Sequence, residues 1–147
     1  PPNVKFFVDD VEQDWVEPEP YDYIHCRYMA ASIRDWPKLM RQCYQLSAKQ
    51  YAFDFWLTKH RNLKPGGWVE FQDCNNIPYS EDNSITSDNH VIKMLELLSE
   101  ACDKVGRPLG PGPFLKGWVE DAGFTNIDHK VFKAPVGTWA KDPRLVS

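Results

Sequence analysis

The stretch "RNLKPGGWVEFQD", residues 61–73, contains an abrupt change in local structure. Pro65 fixes its own φ at about −65° and biases the residue before it against helix, so we expect a helix to end by Leu63. The glycines that follow can adopt φ > 0 without steric cost, which allows the chain to turn sharply. Residues 68–73 then favour a strand that becomes polar toward its end. This order of elements is typical of an αβ unit in a parallel sheet.

The composition of the 147-residue chain predicts one globular domain. Hydrophobic residues make up 42% and aromatic residues 14%, which is enough for a core and argues against disorder. The net charge of −4 offers no basic footprint, so we expect no direct nucleic-acid binding. No apolar run approaches the roughly 18 residues of a membrane-spanning helix, and no signal peptide opens the sequence. We therefore expect a soluble protein without a membrane partner.

The four cysteines are widely separated and form no CxxC pair: they are Cys26, Cys43, Cys74 and Cys102. This spacing favours reduced thiols over a disulfide framework or a zinc site. We therefore predict an intracellular protein, cytoplasmic or nuclear, that holds no metal. No basic cluster of the kind used for nuclear import decides between the two compartments.

Hydrophobic periodicity and turn residues divide the chain into alternating strands and helices. We predict strands over 4–8, 21–25 and 68–73 and a last strand within 125–137. We also predict a helix that begins near 35–37, with Asp35 in its N-cap region, a second helix over 88–105 and a short helix over 114–122. In the helix over 88–105, Gly106 follows the end, and the residues predicted to share one apolar face are Val91, Met94 or Leu95, Leu98, Ala101 or Cys102, and Val105. Alternation of this kind predicts a parallel α/β sheet.

Polar side chains follow the predicted strands at the points where three of them end. In parallel α/β sheets ligands bind beyond the carboxyl ends of the strands, so these side chains are candidates for a shared site. They are Asp9 and Asp10 after the first strand, His25, Cys26 and Arg27 after the second, and Gln72 and Asp73 after the third.

Four sequence blocks occur in a characteristic order: "VKFFVDDVEQDW", "EPYDYIHCRYMAASIRDWPKLMRQCY", "NLKPGGWVEFQD" and "KGWVEDAGFTNIDHKVFKAPVGTW". In this order and character they resemble class I S-adenosylmethionine-dependent methyltransferases, and within these the fungal LaeA-like subgroup, which is linked to the control of secondary metabolism. The resemblance covers nearly the whole chain except residues 45–60. It implies a Rossmann-like, doubly wound parallel sheet that binds S-adenosylmethionine.

The resemblance also implies a cofactor-binding role for several residues. The acidic residue after the third strand of that fold accepts a hydrogen bond from the adenine amino group, and Asp10 matches it best, with Asp9 as the alternative. The backbone of Val11 would then meet the edge of the adenine ring. A second interpretation is that the two aspartates only cap the following turn. His25 and Cys26 correspond to the wall beside the methionine and the transferred methyl group.

The acceptor side of the site is less defined by the resemblance. Arg27, Tyr28, Gln72 and Asp73 are candidates there, and each of them can equally be a solvated rim residue. Methyl transfer chiefly needs alignment and a desolvated site, and a base is required only if the acceptor must lose a proton. His25 could be that base, but a structural histidine is the favoured interpretation, so we assign no catalytic residue.

The chain departs from the family pattern in its cofactor motif. A glycine-rich turn between the first strand and helix is absent, because Gly66 and Gly67 precede a strand rather than follow one. We therefore expect the C-terminal portion of one methyltransferase domain, in which the first two strands are missing and the seventh is not reached. Unpaired strand edges favour association, so we predict that residues 1–147 alone are poorly stable and bind little cofactor.

Residues 45–60, "QLSAKQYAFDFWLTKH", form an atypical insert at a point where the family has a short connection. They could extend the preceding helix, since apolar residues continue at helical spacing. They could also be an intron translated by mistake, and this is the interpretation that we favour.

Two functional classes remain open at this stage. The first is an enzyme that methylates a small-molecule or protein acceptor. The second is a non-catalytic regulatory protein derived from the same fold, which would act through velvet-type protein partners, as the resemblance to LaeA-like proteins implies. The capacity to bind the cofactor distinguishes these two classes.

Overall fold

The computed structural model describes residues 2–15, 19–44, 46–47 and 60–135, and only the backbone of residues 46–47 and 60–61. The elements follow one another as β1 (Tyr21–Arg27), α1 (Trp36–Tyr44), β2 (Leu46–Ser47), β3 (His60–Arg61), β4 (Leu63–Gln72), α2 (His90–Lys104) and α3 (Leu115–Asp121). A single 3-10 turn, Gly112–Phe114, leads into α3. No helix within these described ranges is long and apolar enough to cross a membrane.

The two longer strands, β1 and β4, form a parallel sheet. Their register runs from Tyr23 opposite Trp68 to Arg27 opposite Gln72. Aromatic and β-branched residues favour this extended backbone, and a parallel neighbour requires a crossover, which α1 and the residues around it provide. The predicted α/β class with a parallel sheet is therefore confirmed in its coarse form. The absence of the family's first two strands stays a prediction.

The Pro-Gly-Gly segment lies inside β4, which corrects the expectation of a turn before the strand. Leu63 pairs with Tyr21 and Trp68 pairs with Tyr23, so residues 64–67 stand opposite a single residue of β1. Gly66, with φ of 79°, lets the chain leave and rejoin the ladder. A helix ending at Leu63 is also wrong, because residues 60–61 belong to β3.

Helix α1 covers the sheet and supplies half of the buried residues of the core cluster. Asp35 precedes it, as predicted, and its Oδ1 accepts a hydrogen bond of 2.8 Å from the N–H of Lys38. Side chains three or four residues apart bury one face of the helix, which packs against α3. The buried members of this core are Ile33, Trp36, Leu39, Met40, Leu115 and Ala122.

The end of α1 bears on the interpretation of residues 45–60. The helix ends at Tyr44, and residues 46–47 pair antiparallel with residues 60–61. A helix that continues through the insert is therefore wrong at residues 46–47. Residues 45 and 48–59 lie outside the described residues, and the intron interpretation stays a prediction.

Two predicted strands are wrong in the part of the chain that the structure describes. Residues 4–8 form no strand, and Phe6 and Phe7 are 93% and 82% exposed. Residues 125–135 form none either, and Phe132 is 83% exposed; residues 136–137 lie outside the described part. A β-strand is defined by its hydrogen bonds to a neighbouring strand, and neither segment has such a neighbour among the described residues.

Helix α2 has the predicted extent but a different orientation. The Asn89 side chain caps its first turn by accepting a 2.9 Å hydrogen bond from Val91 N–H, and Gly106, with φ of 70°, follows its end. Ile92 is the one residue of α2 that is buried, whereas Val91, Leu98 and Val105 are exposed. Leu95 and Cys102, two alternatives for the expected face, are half-buried, so the face turned toward the protein is centred on Ile92 rather than on Val91 and Leu98.

The segment 9–15 is attached to the start of α1 by Glu12. Its Oε1 accepts hydrogen bonds from the backbone N–H of Arg34, at 2.8 Å, and Asp35, at 3.0 Å. Its backbone carbonyl accepts a 2.6 Å hydrogen bond from Lys38 Nζ. Glu12 thus supplies the acceptors that the N–H groups before a helix require.

Replacing Gly67 by alanine should destabilise the intact protein by about 1–3 kcal/mol. A Cβ at this position would lie 2.9 Å from the carbonyl oxygen of Asp22 and 2.9 Å from Leu63 Cγ. Gly117→Ala is the matched control, because a Cβ there meets nothing within 4 Å, and it should be neutral or slightly stabilising. Urea denaturation of both variants measures the difference in stability. Equal midpoints would contradict the described departure of residues 64–67 from the strand pairing.

Glu12→Ala should lower the free energy of unfolding of the intact protein by about 1.5–3 kcal/mol, because two backbone donors lose an ionised acceptor. Glu12→Gln should cost less, since its amide oxygen can still accept. Glu19→Ala, at an exposed position, serves as the control and should change stability by less than about 0.5 kcal/mol. Urea denaturation measures the free energy of unfolding of each variant. An equal effect of Glu12→Ala and Glu19→Ala would rule out the role of Glu12 in attaching residues 9–15 to α1.

Candidate cofactor and acceptor site

The carboxyl ends of β1 and β4 meet at one edge of the sheet, which we call the carboxyl edge. Arg27 stands opposite Gln72 in the register, and the N–H of Tyr28 donates a 3.0 Å hydrogen bond to the carbonyl oxygen of Gln72. Asp73 follows directly. The structure therefore brings together the four residues predicted for the acceptor side, although their function stays a prediction.

Asp73 turns its carboxylate toward the loop that follows β1. Its Oδ2 accepts hydrogen bonds from the backbone N–H of Met29, at 2.7 Å, and of Ala30, at 2.9 Å. Its Oδ1 accepts a 2.8 Å bond from the N–H of Cys74. Both oxygens are thus occupied by backbone donors, which is a different arrangement from a carboxylate that faces a ligand.

A third loop, residues 107–112, joins the two loops that leave the strands. The N–H of Ala31 donates to the carbonyl oxygen of Pro108 at 2.9 Å, and Asn76 Nδ2 donates to that of Leu109 at 2.7 Å. Gly112 approaches the backbone of Cys74 so closely that a Cβ would lie 2.9 Å from its carbonyl carbon. The carboxyl edge is therefore bordered by three mutually bonded loops.

The two predicted residues of the methyl-side wall, His25 and Cys26, point to opposite faces of the sheet. Successive side chains in a strand alternate in this way. Cys26 packs against the core beside Phe71, and burial, followed by the charge of Asp73, raises the pKa of its thiol to about 11. The Cys26 thiol is therefore neutral at physiological pH and contributes an apolar side chain to the half-buried face of the sheet. Both cofactor assignments stay predictions.

His25 belongs to a polar cluster on the exposed face of the sheet. Its Nδ1 lies 3.0 Å from Glu70 Oε2, and the Tyr23 hydroxyl donates to the same carboxylate oxygen. The Tyr23 hydroxyl and, secondly, His25 lower the pKa of Glu70, while the bond to Glu70 raises the pKa of Tyr23. Because Glu70 orients one ring nitrogen of His25, a structural role for this histidine remains the simpler interpretation.

Asp10 and Val11 have the groups that recognition of adenine requires. Asp10 Oδ1 accepts a 3.0 Å hydrogen bond from the N–H of Glu12, the main cause of its lowered pKa, and Oδ2 receives a longer one, 3.4 Å, from Gln13. An ionised carboxylate has about four acceptor positions, so capacity remains for an amino group. The Val11 N–H has no acceptor within the described ranges. These residues fit the adenine end of S-adenosylmethionine, and Asp10 also caps the following turn.

The segment with Asp10 lies on the side of the carboxyl edge because Glu12 ties it to the start of α1. That helix begins just after the loop that leaves β1, so its first turn faces the same end of the sheet. Asp9 accepts a 2.8 Å hydrogen bond from the N–H of Asp10. Among the described residues no hydrogen bond links residues 9–11 directly to the strand ends.

A groove of about 860 Å³ runs along the other edge of β4, and none of the predicted site residues lines it. Leu63, Trp68 and Phe71 of β4 and Phe124 line part of it. It occupies the space beside a strand that has one sheet neighbour among the described residues. We therefore attribute it to an unoccupied packing position rather than to the cofactor site.

Three residues that organise the candidate site are not among the predicted site residues: Glu12, Glu70 and Asn76. Glu12 lies in an acidic stretch without any periodic signal, and Asn76 contacts a loop more than thirty residues away. The orientation of Glu70 could be predicted from the sequence, because alternation along the strand places its side chain on the same face as that of Trp68. Its pairing with His25 still required the register between the strands.

Tyr23→Phe should destabilise the intact protein near neutral pH, because the Glu70 carboxylate loses the hydrogen bond from the Tyr23 hydroxyl, which is the main cause of its lowered pKa. The lowered pKa of Glu70 contributes stability above its ordinary value of 4.5, which is lost as the pH falls through the lowered value. The raised pKa of Tyr23 contributes stability below 10.0, which is lost as the pH rises through the raised value. The difference in Tm from wild type should therefore shrink at both pH extremes.

Tyr28→Phe is the control for this pH series. Its side chain is 64% exposed, and its hydroxyl has no hydrogen bond in the described part of the chain. Its Tm should follow wild type across the whole range. A Tyr23→Phe difference that does not depend on pH would argue against the Tyr23–Glu70 bond.

Comparison with known proteins places these observations in a family context. A family model described as "Methyltransferase domain" matches residues 1–53. "Methyltransferase pytC" of Aspergillus terreus is 49% identical over 145 residues, which are 99% of this chain and 40% of that protein. "Methyltransferase cpsF" of Aspergillus campestris is 26% identical over 98% of this chain and 46% of its own length.

A regulator is also among the relatives. "Secondary metabolism regulator LAE1" of Cochliobolus heterostrophus is 30% identical over 97% of this chain and 42% of its own length. The chain thus spans less than half the length of these curated relatives, and no solved structure matches it. Over nearly its whole length it is similar to part of fungal methyltransferases and LaeA-type regulators, which confirms the predicted resemblance to the fungal LaeA-like methyltransferases.

Proposed function

We propose that the protein containing this sequence transfers a methyl group from S-adenosylmethionine to a small-molecule or protein acceptor in fungal secondary metabolism. The observation that carries the proposal is the 49% identity to "Methyltransferase pytC" across 99% of the chain. The parallel pairing of β1 and β4 supports it, because ligands in such sheets bind beyond the carboxyl ends of the strands.

The proposed cofactor contacts divide between two parts of the described structure. Asp10 accepts from the adenine amino group, and the Val11 N–H donates to a ring nitrogen. His25 and Cys26 lie near the methionine portion, with Cys26 contributing apolar contact. When bound, S-adenosylmethionine supplies an electrophilic methyl group on a sulfonium.

The proposed contribution of the carboxyl edge is alignment of the acceptor. Arg27 and Gln72 present polar groups there, and the guanidinium of Arg27 lies 5.1 Å from the centre of the Tyr28 ring. Alignment and exclusion of water are the main requirements of a displacement at a methyl group, so this role needs no catalytic base.

The proposed activity belongs to the intact protein rather than to residues 1–147 alone. The glycine-rich turn of the family is absent from these residues, and large apolar side chains such as Phe6, Phe7 and Phe132 are exposed. We propose that the family's first two strands come from a further part of the protein and cover some of this surface. A cytoplasmic or nuclear location belongs to the same proposal.

A second function is favoured by the similarity to "Secondary metabolism regulator LAE1". In this alternative the protein is non-catalytic and acts through velvet-type regulatory partners. The function of such a protein would depend on the surface that binds its partners rather than on the cofactor contacts. Substitution of Asp10 would then leave its biological effect unchanged.

Isothermal titration of the intact protein with S-adenosylhomocysteine tests the cofactor site. Asp10→Asn should weaken binding by about tenfold or more, because the new NH₂ group cannot accept from the adenine amine while the remaining oxygen can still accept from Glu12. Asp9→Asn is the matched control and should change Kd by less than twofold. A larger change in Kd for Asp9→Asn than for Asp10→Asn would assign the hydrogen bond with the adenine amino group to Asp9 instead.

Turnover separates the two functions. The intact protein, incubated with methyl-labelled S-adenosylmethionine and an extract of the producing fungus, should label an acceptor, and Asp10→Asn should reduce this labelling. Cofactor binding without any labelled product would favour the regulatory alternative. A wild-type protein that does not bind S-adenosylhomocysteine would contradict the proposed activity.

A further inference from the structure

The loop that leaves β1, residues 28–32, contains two residues in an unfavourable backbone conformation. Tyr28 has φ of 55° and Ala31 has φ of 56°, both in the left-handed region. Residues with a Cβ are disfavoured there, and a bulky side chain such as that of tyrosine is a rare occupant. Such strain persists only where surrounding contacts hold it in place, and it concentrates at functional sites.

The contacts that hold this loop come chiefly from Asp73. Its Oδ2 accepts from the N–H groups of Met29 and Ala30, the two residues between the left-handed positions. Hydrogen bonds to an ionised acceptor are roughly twice as strong as neutral ones. The bond from Ala31 N–H to the carbonyl oxygen of Pro108 closes the far end of the loop.

The loop controls where the side chains at the carboxyl edge lie. Tyr28 is its first residue, and the N–H of Tyr28 is held by the carbonyl of Gln72, while its ring lies beside the guanidinium of Arg27. A loop that relaxed to ordinary φ values would redirect Tyr28 away from this arrangement. The position of Tyr28 therefore depends on a carboxylate that directly follows the neighbouring strand.

We propose that Asp73 is a positioning residue, which holds loop 28–32 in its left-handed conformation and thereby shapes the edge at which cofactor and acceptor meet. This inference rests on the proposed function, because it assigns Asp73 a role in that same site. It also replaces the predicted direct contact of Asp73 with the acceptor by an indirect action through Met29 and Ala30.

The test uses the intact protein and two readouts, amide hydrogen exchange of Met29 and Ala30 and the Kd for S-adenosylhomocysteine. Asp73→Ala should increase exchange at both amides by about tenfold or more and weaken binding by about tenfold, since loop 28–32 follows the strand that carries His25 and Cys26, the residues proposed to lie near the methionine portion. Asp73→Asn retains one oxygen that can accept from both amides, so its effects should be smaller. This second variant keeps the test usable if Asp73→Ala does not fold.

Rescue distinguishes positioning from a general loss of stability. Glycine adopts the φ of Ala31 without cost, so Ala31→Gly added to Asp73→Ala, or to Asp73→Asn, should restore part of the lost affinity. Ala31→Gly alone should change Kd by less than twofold. Asp82→Ala is the control, because Asp82 also accepts from a backbone N–H, that of Ser84 at 3.0 Å, but makes no hydrogen bond to loop 28–32 among the described residues.

Each outcome decides the inference. Faster exchange with weaker binding, and rescue by Ala31→Gly, would support it. Unchanged exchange, or faster exchange with unchanged affinity, would overturn it while leaving the proposed function intact. A wild-type protein that does not bind S-adenosylhomocysteine would overturn the proposed function and this inference together.

Discussion

The parallel hydrogen bonding between β1 and β4 is the constraint on which the described structure depends. It places Arg27 opposite Gln72, so the loops that leave both strands start from the same edge. It also gives the sheet one half-buried face, with Cys26 and Phe71, on which α1 and α3 pack. The core and the candidate site are thus two consequences of a single register, since a shift by one residue would exchange the two faces.

The elements that the sequence predicts well are those with local causes. The start of α1 depends on Asp35, and the end of α2 depends on Gly106, so each is decided by neighbouring residues. The strand that the apolar pattern predicts over residues 21–25 is confirmed, because β4 lies beside it and pairs with it. Residues 4–8 have the same pattern but no neighbour among the described residues, and a pattern alone cannot supply one.

The grouping of the candidate acceptor-side residues was predictable, but their contacts were not. The rule that ligands bind at strand ends identified Arg27, Gln72 and Asp73, and the register indeed brings them together. Which groups their side chains contact depends on loops far apart in sequence, as for Asp73 and Met29. The Pro-Gly-Gly segment shows the same limit, because its excursion within β4 depends on the position of Asp22 in another strand.

The carboxylates of this region differ in what they leave available to a ligand. Glu12 and Asp73 use their oxygens on backbone N–H groups of the loops, and Glu70 receives the Tyr23 hydroxyl. Asp10 also caps a turn, but one of its two bonds is long and its side chain keeps acceptor capacity. A buried or occupied carboxylate stabilises geometry, whereas one with free acceptor positions can select a ligand. The remaining capacity of Asp10 is compatible with the cofactor role that the resemblance implies for it, whereas Asp73, with both oxygens occupied by backbone donors, supports the loop that leaves β1.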